Sequence, residues 1–328
     1  MLKESLNIGK MTVNNRLVMP PMATAKSTPD GVVTEELCEY YRERAEGGKI
    51  GLIITEHSYI SKDGKASNGQ LSIAEDTDVE GLKKLTETIH SCGSKVIAQI
   101  NHAGSAALPE VTGCDPVGPS ALMHPRKAGA VLPKELSKED ICRIEDAFAA
   151  AALRAKEAGF DGVEIHSAHA YLLNQFYSPL TNHRSDEYGV DTMENRIRIH
   201  LETVQKVRKA VGEDYPIALR LGGCDYTEGG STLMDAVAAC VLLEQAGVDL
   251  LDISGGMRGY IRPDYTEPGY FSDMTAAIKA KVQVPVLLTG GVTKGEEAEN
   301  LLAAGAADLI GVGRAIFKDA DWARNEVK

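Results

Sequence analysis

The sequence predicts an α/β protein, a single (β/α)8 TIM barrel that occupies residues 1–328. Short apolar runs alternate with amphipathic helical patterns about eight times along the chain, and most runs are continuous, as in parallel strands covered on both faces. One joint also recurs, because Gly159, Gly247 and Gly305 each stand where a helix would end before the next strand. A length of 328 residues suits a barrel of one domain.

The predicted elements follow in order from the amino end. Residues 6–13 alternate around Gly9-Lys10 and predict a β-hairpin that covers the bottom of the barrel. Eight strands are then predicted at residues 16–19, 50–55, 95–100, 162–165, 216–221, 250–254, 285–289 and 309–312. Ser137 and Asp140 form a capping-box pattern and predict a helix that ends near Gly159.

The segment 103–134 is rich in glycine and proline and is the longest irregular stretch between predicted elements. A loop of this length in a compact domain is usually functional. We therefore predict a lid or a substrate-facing loop, with an ordinary surface loop as the alternative.

Composition limits the function classes. The formal charge of −12, from 35 basic and 47 acidic residues, disfavours binding to nucleic acid or to an anionic membrane. The six cysteines have no paired spacing, which indicates reduced thiols, and no apolar segment resembles a signal peptide or a membrane span. We expect a cytoplasmic enzyme that acts on a small molecule, and the sequence leaves open whether it forms a homo-oligomer.

Two histidines and a tyrosine stand directly after the predicted strand at 162–165. His166, His169 and Tyr171 would lie at the carboxyl end of that strand, where βα barrels build their active sites. Paired imidazoles can hold one substrate oxygen, and a phenol that keeps its proton at neutral pH can donate it. The alternatives are a structural role for His166 or a zinc site. Because neither a His-Glu-x-x-His nor a Cys-x-x-Cys pattern occurs, we expect no metal.

The loops after the seventh and eighth predicted strands contain glycines and an arginine: Gly290, Gly291, Gly313 and Arg314. In barrels these loops often bind phosphate through backbone N–H groups, to which arginine adds a bidentate donor. This position predicts a phosphate site.

A polar amide and a cation are predicted above that phosphate site, at the ends of the third and fifth strands. Gln99 and Arg220 suit a flat heterocycle that gains negative charge during the reaction, such as reduced flavin. The alternative for Arg220 is a salt bridge to a carboxylate at the mouth of the barrel, such as Glu56.

At this point the sequence resembles the old yellow enzyme family of FMN-dependent oxidoreductases, including the barrel domain of bacterial 2,4-dienoyl-CoA reductase. The likeness runs from the segment 15–22, NRLVMPPM, to Gly313-Arg314, nearly the whole chain. Its most specific motifs are HSAHAYLL at 166–173, FYSPLTNHRSDEYG at 176–189 and Asn195-Arg196-x-Arg198.

The resemblance implies FMN as cofactor and assigns the residues that bind it: Pro21, Met22, Ala23, Gln99, Arg220, Gly290, Gly291, Gly313 and Arg314. By this resemblance, residues 21–23 pack beside the flavin ring and Gln99 binds its pyrimidine edge. Arg220 stabilises the anionic reduced ring, and the two glycine-containing segments 290–291 and 313–314 bind the phosphate. His166 and His169 match the pair that holds the substrate carbonyl oxygen, and Tyr171 matches the proton donor.

The implied reaction is a ping-pong reduction of an activated C=C bond. NADH or NADPH reduces the flavin and leaves, an electron-poor alkene accepts hydride from flavin N5, and Tyr171 protonates the α-carbon. The chain ends soon after Trp322, so we expect neither the iron–sulfur nor the second nucleotide domain of the long reductases, and expect a diffusible nicotinamide as reductant.

Three positions depart from the family pattern. Ala23 stands where many relatives have Cys or Thr, Ala25 stands where one subgroup has a tyrosine, and Val190 replaces a second glycine. Three other functions remain: a dihydrouridine-synthase-like FMN enzyme, which should have a basic surface for tRNA; a flavin-free phosphate-binding isomerase or aldolase; and a non-catalytic flavin carrier.

Overall fold

The computed structural model describes residues 1–263 and 265–327 and confirms the predicted barrel. Asp264 and Lys328, which the predicted domain of 1–328 includes, lie outside the described residues. None of the helices in the described ranges combines the length and the apolar character that crossing a membrane requires.

The strands in the described residues are β1 Leu6–Ile8, β2 Met11–Val13, β3 Leu17–Met19, β4 Leu52–Ile54, β5 Ser58–Tyr59, β6 Lys95–Asn101, β7 Val117–Gly118, β8 Lys134–Glu135, β9 Gly162–Ser167, β10 Ile217–Cys224, β11 Leu250–Gly255, β12 Val286–Thr289 and β13 Leu309–Gly311. Strands β3, β4, β6, β9, β10, β11, β12 and β13 pair in parallel in this order, and β13 pairs with β3, which closes the ring.

The helices are α1 Glu35–Ala45, α2 Val79–Ser91, α3 Pro109–Thr112, α4 Lys138–Glu157, α5 Leu172–Tyr177, α6 Met193–Arg196, α7 Arg198–Val211, α8 Leu233–Gln245, α9 Ser272–Lys279, α10 Gly295–Ala303, α11 Arg314–Lys318 and α12 Trp322–Glu326. The capping box that begins α4 is confirmed, because the Ser137 hydroxyl accepts from the Asp140 N–H while the Asp140 carboxylate accepts from the Ser137 N–H. Gly159, Gly247 and Gly305 all have positive φ, which confirms the recurrent joint between helix and strand.

The predicted amino-terminal hairpin is confirmed as β1 and β2. Its apolar side chains Ile8 and Val13 pack in one buried cluster with residues from the starts of barrel strands, including Leu52 and Leu250. The hairpin therefore closes the bottom of the barrel and leaves the carboxyl ends of the strands as the open side.

Several strands extend further toward that open side than the sequence predicted. Strand β9 continues to Ser167, so His166 lies inside the strand, and the prediction that it follows the strand is wrong. Strand β10 likewise continues to Cys224. The predicted strands were too short because a polar side chain such as that of His166 interrupts the apolar pattern in the sequence. In the barrel, a polar residue can remain in the strand when its side chain points into the polar mouth.

The segment 103–134 contains short elements, a 3-10 turn at Gly104–Ala106, the single turn α3 and the two-residue strand β7. Strand β7 pairs in parallel with β8, which ties the segment to the body of the barrel. His124, Arg126 and Lys127 of this segment line the cavity at the open side. The segment therefore faces the site, and its function as a lid stays a prediction.

Candidate active site

A cavity of about 580 Å³ opens among the carboxyl ends of the barrel strands. Every residue that the sequence analysis placed in the active site lines it: Pro21, Met22, Ala23, Gln99, His166, His169, Tyr171, Arg220, Gly290, Gly291, Gly313 and Arg314. The fold thus brings together residues from six different segments of the chain, although their individual roles stay predictions.

The two positions directly after β12 require glycine, because a side chain there would collide with Tyr270. A Cβ added to Gly290 or Gly291 would lie 2.9 Å or 2.8 Å from the Tyr270 ring, and Gly291 also has a φ of +77°. Within the described residues, the N–H groups of Gly290, Gly291 and Gly313 donate to no protein acceptor. The Arg314 guanidinium is exposed and has a weak contact, 3.4 Å, with the Tyr270 hydroxyl. Free N–H groups beside an available guanidinium fit the phosphate of FMN.

Arg220 is held from the neighbouring strand. Its Nε lies 3.1 Å from Oδ2 of Asp252, and the register of β10 and β11 places the two residues side by side. The alternative of a salt bridge to a carboxylate is therefore confirmed, but its predicted partner Glu56 is wrong. The Glu56 carboxylate instead accepts a 2.6 Å hydrogen bond from the Thr24 hydroxyl. Strand register decides the pairing, because adjacent positions in a barrel layer meet whatever their separation in sequence.

Gln99 is held in the same way by Glu164, which lies opposite it on β9. The Gln99 Nε2 donates to Glu164 Oε1 at 2.8 Å, so the carbonyl end of the amide is left for a ligand. Burial raises the pKa of the Glu164 carboxyl well above its usual value, and the Asp252 charge raises it further. Burial raises the pKa of Asp252 as well, but the Arg220 charge and the hydrogen bond with Glu164 oppose that rise. Of the two carboxyls, Glu164 is therefore the one that favours the protonated form, and Asp252 is the one paired with Arg220.

The predicted catalytic trio is compact. The His166 and His169 rings lie 5.2 Å apart edge to face, and the Tyr171 ring lies 5.3 Å from the His166 ring. His169 Nε2 lies 2.8 Å from the Ser254 hydroxyl, which fixes the orientation of that ring. Within the described residues, no group of three His, Cys, Asp or Glu side chains is arranged to hold a metal ion.

The protonation states of the trio suit binding and proton donation. Burial, with the positive charge of Arg220 nearby, holds the pKa of both His166 and His169 well below the usual range, so both imidazoles are neutral. Burial also raises the pKa of the Tyr171 hydroxyl. The phenol therefore keeps its proton at neutral pH and can act as a general acid.

The backbone between the histidines and the tyrosine is strained. His169 and Ala170 have φ values of 60° and 65°, a region that costs about 1–3 kcal/mol for each residue that is not glycine. Side chains hold the turn: the Ala170 N–H donates to Asn174 Oδ1 at 2.8 Å, and Gln175 Nε2 donates to the Ala170 carbonyl at 2.7 Å. The buried helix α5 thereby orients Tyr171, its N-cap residue.

Sequence reasoning missed several residues of the cavity, among them His57, His124, Arg126, Lys127, Tyr260 and Tyr270. His57 had a usable signal, since it comes shortly after the predicted strand at 50–55, just as His166 comes after the predicted strand at 162–165. The others lie in long loops whose position depends on tertiary contacts, such as the 2.9 Å hydrogen bond from Arg126 Nη1 to the Met257 carbonyl.

A histidine behind the site makes acid stability testable. His200 is fully buried, its Nε2 lies 2.7 Å from the Ser167 hydroxyl, and burial lowers its pKa to about 3. The native state thus keeps His200 neutral while the unfolded chain protonates it below about pH 6.5, so its contribution to stability is full above that pH and is lost as the pH falls toward 3.

We expect the native chain to exceed His200→Gln in free energy of unfolding at pH 8, and the difference to shrink by about 2 kcal/mol at pH 5. Guanidinium titrations of both proteins at the two pH values measure it. A difference that does not depend on pH would contradict the neutral state of His200.

Comparison with known proteins agrees with this geometry. Residues 2–327 match the model of the NADH:flavin oxidoreductase / NADH oxidase family. The chain is 41% identical over 321 residues to an NADH oxidase from Thermoanaerobacter brockii, an alignment that covers 96% of this chain and 49% of that relative. It is 38% identical over 325 residues to an NADPH dehydrogenase from Bacillus subtilis, covering 98% of this chain and 93% of the relative.

Among solved structures, the old yellow enzyme homologue from Zymomonas mobilis superposes with a TM-score of 0.86 at 31% identity, covering 99% of this chain and 91% of that one. The chain spans about half the length of the Thermoanaerobacter relative and nearly all of the Bacillus one. These matches confirm the predicted resemblance to the old yellow enzyme family. The chain belongs to the NADH:flavin oxidoreductase / NADH oxidase family, that of the old yellow enzymes.

Proposed function

We propose that this chain, acting as one FMN-binding domain over residues 1–328, uses NADH or NADPH to reduce activated C=C bonds of enones or enoyl compounds. The observation that carries the proposal is the convergence of a glycine-lined anion site, a buried guanidinium, paired neutral imidazoles and a protonated phenol on one cavity. A flavin-free isomerase or aldolase would instead need a strand-borne lysine or paired carboxylates as its acid and base. Lys127 of the cavity lies in the segment 103–134 and not on a barrel strand, while Glu164 and Asp252 contact Gln99 and Arg220.

Specific residues would hold the cofactor. The N–H groups of Gly290, Gly291 and Gly313, with Arg314, would bind the phosphate, and Gln99 and Arg220 would face the polar edge of the ring beside the segment Pro21, Met22 and Ala23. When bound, FMN supplies the acceptor and donor of hydride between nicotinamide and alkene.

The chain's own residues would bind and protonate the alkene. The neutral His166 and His169 would donate hydrogen bonds to the substrate carbonyl oxygen and stabilise the negative charge that develops there. Tyr171 would give the proton of its hydroxyl to the α-carbon and regain one from solvent, a contribution of about 10²–10⁴ in rate. Because burial raises the pKa of this hydroxyl, Tyr171 is protonated near neutral pH before the transfer.

Stopped-flow kinetics tests the function directly. The FMN-loaded protein is reduced anaerobically with NADH or NADPH, and the reduced protein is then mixed with a panel of enones and enoyl thioesters. We expect rapid reoxidation by at least one class of electron-poor alkene, with formation of the saturated product. Reoxidation by molecular oxygen alone would leave the flavin-carrier alternative ahead.

The phosphate site gives a separate prediction. Arg314→Glu should raise the Kd for FMN about 10- to 100-fold, since a hydrogen bond between charged groups is worth about 1.5–3 kcal/mol. Riboflavin, which lacks the phosphate, should bind both proteins alike. Lys318→Glu, a charge reversal at the other end of the exposed side of α11, is the matched control. Equal weakening of FMN and riboflavin would show that Arg314 does not bind the phosphate.

We also propose that the enzyme acts in the cytoplasm on small molecules, without nucleic acid or membrane partners. The net charge of −12 supports the absence of nucleic acid and anionic membrane partners. Sedimentation would show whether the chain forms a homo-oligomer. All six cysteines lie in the described residues and are free thiols, as a reducing compartment allows.

A further inference from the structure

His57 lines the cavity but belongs neither to the proposed cofactor site nor to the catalytic trio. It follows β4, and its ring stacks on the Tyr171 ring with centroids 5.3 Å apart and an interplanar angle of 28°. The His166 ring lies 6.4 Å away. A third imidazole therefore borders the place where the substrate would meet the proton donor.

Neighbouring amides fix the tautomer of this histidine. The Ala66 backbone N–H can only donate, and it donates to Gln70 Oε1 at 2.7 Å, which identifies the oxygen of that amide. Gln70 Nε2, the donor end, lies 3.0 Å from His57 Nδ1, and Asn101 Nδ2 lies 3.3 Å from the same atom. His57 Nδ1 must accept, so the neutral ring carries its proton on Nε2.

The Nε2–H of His57 is available for a ligand. Burial lowers the pKa of His57 to about 4, so the ring stays neutral near pH 7. No acceptor among the described residues binds Nε2, and the side chain is only partly buried, with its exposed part toward the cavity. A ligand that displaces water from this N–H without accepting from it leaves a buried donor unpaired.

We propose that His57 is a specificity-determining residue that donates its Nε2–H to a second acceptor oxygen of the alkene substrate. The inference rests on the proposed function, in which His166 and His169 hold the first oxygen. The His57 donor would favour alkenes with two acceptor groups, such as a cyclic imide or a dicarbonyl compound, over simple enones. A site with a fixed donor discriminates against ligands that lack the matching acceptor.

Two unreactive ligands of equal ring size test this preference: succinimide, with two carbonyl oxygens, and cyclopentanone, with one. Their Kd values are measured from the perturbation of the visible flavin spectrum in the FMN-loaded protein. His57→Phe keeps an aromatic ring for Tyr171 but removes the donor, and His57→Gln keeps an N–H donor but removes the ring.

We expect His57→Phe to reduce the preference for succinimide over cyclopentanone about three- to tenfold, the value of one neutral hydrogen bond, while His57→Gln retains most of it. An unchanged preference in His57→Phe, or no preference in the native protein, would overturn the inference. Neither ligand contains an alkene, so failure of alkene reduction with an intact preference would count against the proposed function alone.

Nitrogen NMR of the histidine side chains gives a readout that requires no turnover. The His57 signal is the one absent from His57→Phe. Between pH 6 and 8 we expect an unprotonated Nδ1, a protonated Nε2, and a shift of the Nε2 signal on addition of succinimide. A ring protonated on Nδ1 would overturn the assignment of the cavity-facing donor.

Discussion

Tyr171→Phe should slow reoxidation of the reduced enzyme by an enone about 10²- to 10⁴-fold, while reduction by NADH or NADPH proceeds at the native rate. The substitution removes the hydroxyl and keeps the ring that stacks on His57 and meets His166 edge to face. Because burial holds the phenol protonated, the native protein has a proton ready at this position and the variant has none. Stopped-flow absorbance measures the two half-reactions separately.

The reductive half-reaction serves as the internal control for this variant. Nicotinamide delivers hydride without a proton from the phenol, so a variant with intact structure reduces normally. Equal slowing of both half-reactions would indicate a structural role for Tyr171. Native rates in both would assign proton donation to another group, and solvent water would then be the first candidate.

The double substitution His166→Ala and His169→Ala should weaken the binding of a phenolic ligand about 100-fold or more. A phenolate oxygen resembles the enolate that the neutral imidazoles would stabilise, and each hydrogen bond to a charged acceptor is worth about 1.5–3 kcal/mol. Titration of the oxidised, FMN-loaded protein with p-hydroxybenzaldehyde, followed by the visible spectrum, measures the Kd.

A second double variant separates lost donors from lost volume. His166→Asn with His169→Asn retains an N–H donor at each position and should bind the phenol more tightly than the alanine pair. FMN affinity should change little in either protein, because neither histidine belongs to the predicted cofactor set. Phenol binding that survives the alanine pair would refute the assigned role of the two histidines.

Local signals made the barrel predictable from the sequence. The continuous apolar run at 250–254 became β11, and Gly247 before it has the positive φ that ends a helix. Such signals depend on a few neighbouring residues, so they survive without tertiary information. The ends of strands were less predictable, since His166 and Ser167 look like loop residues in sequence yet extend β9 into the polar cavity.

The membership of the site was predictable, but its internal contacts were not. Positions at the ends of predicted strands marked Gln99 and Arg220, yet their partners Glu164 and Asp252 follow only from strand register. The position of His57 after a predicted strand was visible in the sequence, but its tautomer was not, because it depends on Gln70, a residue in a loop beyond β5. Contacts between strands and loops distant in sequence carry no local pattern.

The proposed function requires first of all that this chain binds FMN. After titration with FMN and size-exclusion chromatography, we expect visible flavin absorbance to elute with the protein at one FMN per chain. We also expect Arg220→Met, which removes the buried cation proposed to face the ring, to lower the reduction potential of the bound flavin. Flavin that elutes apart from a folded protein would contradict FMN binding and with it the proposed function.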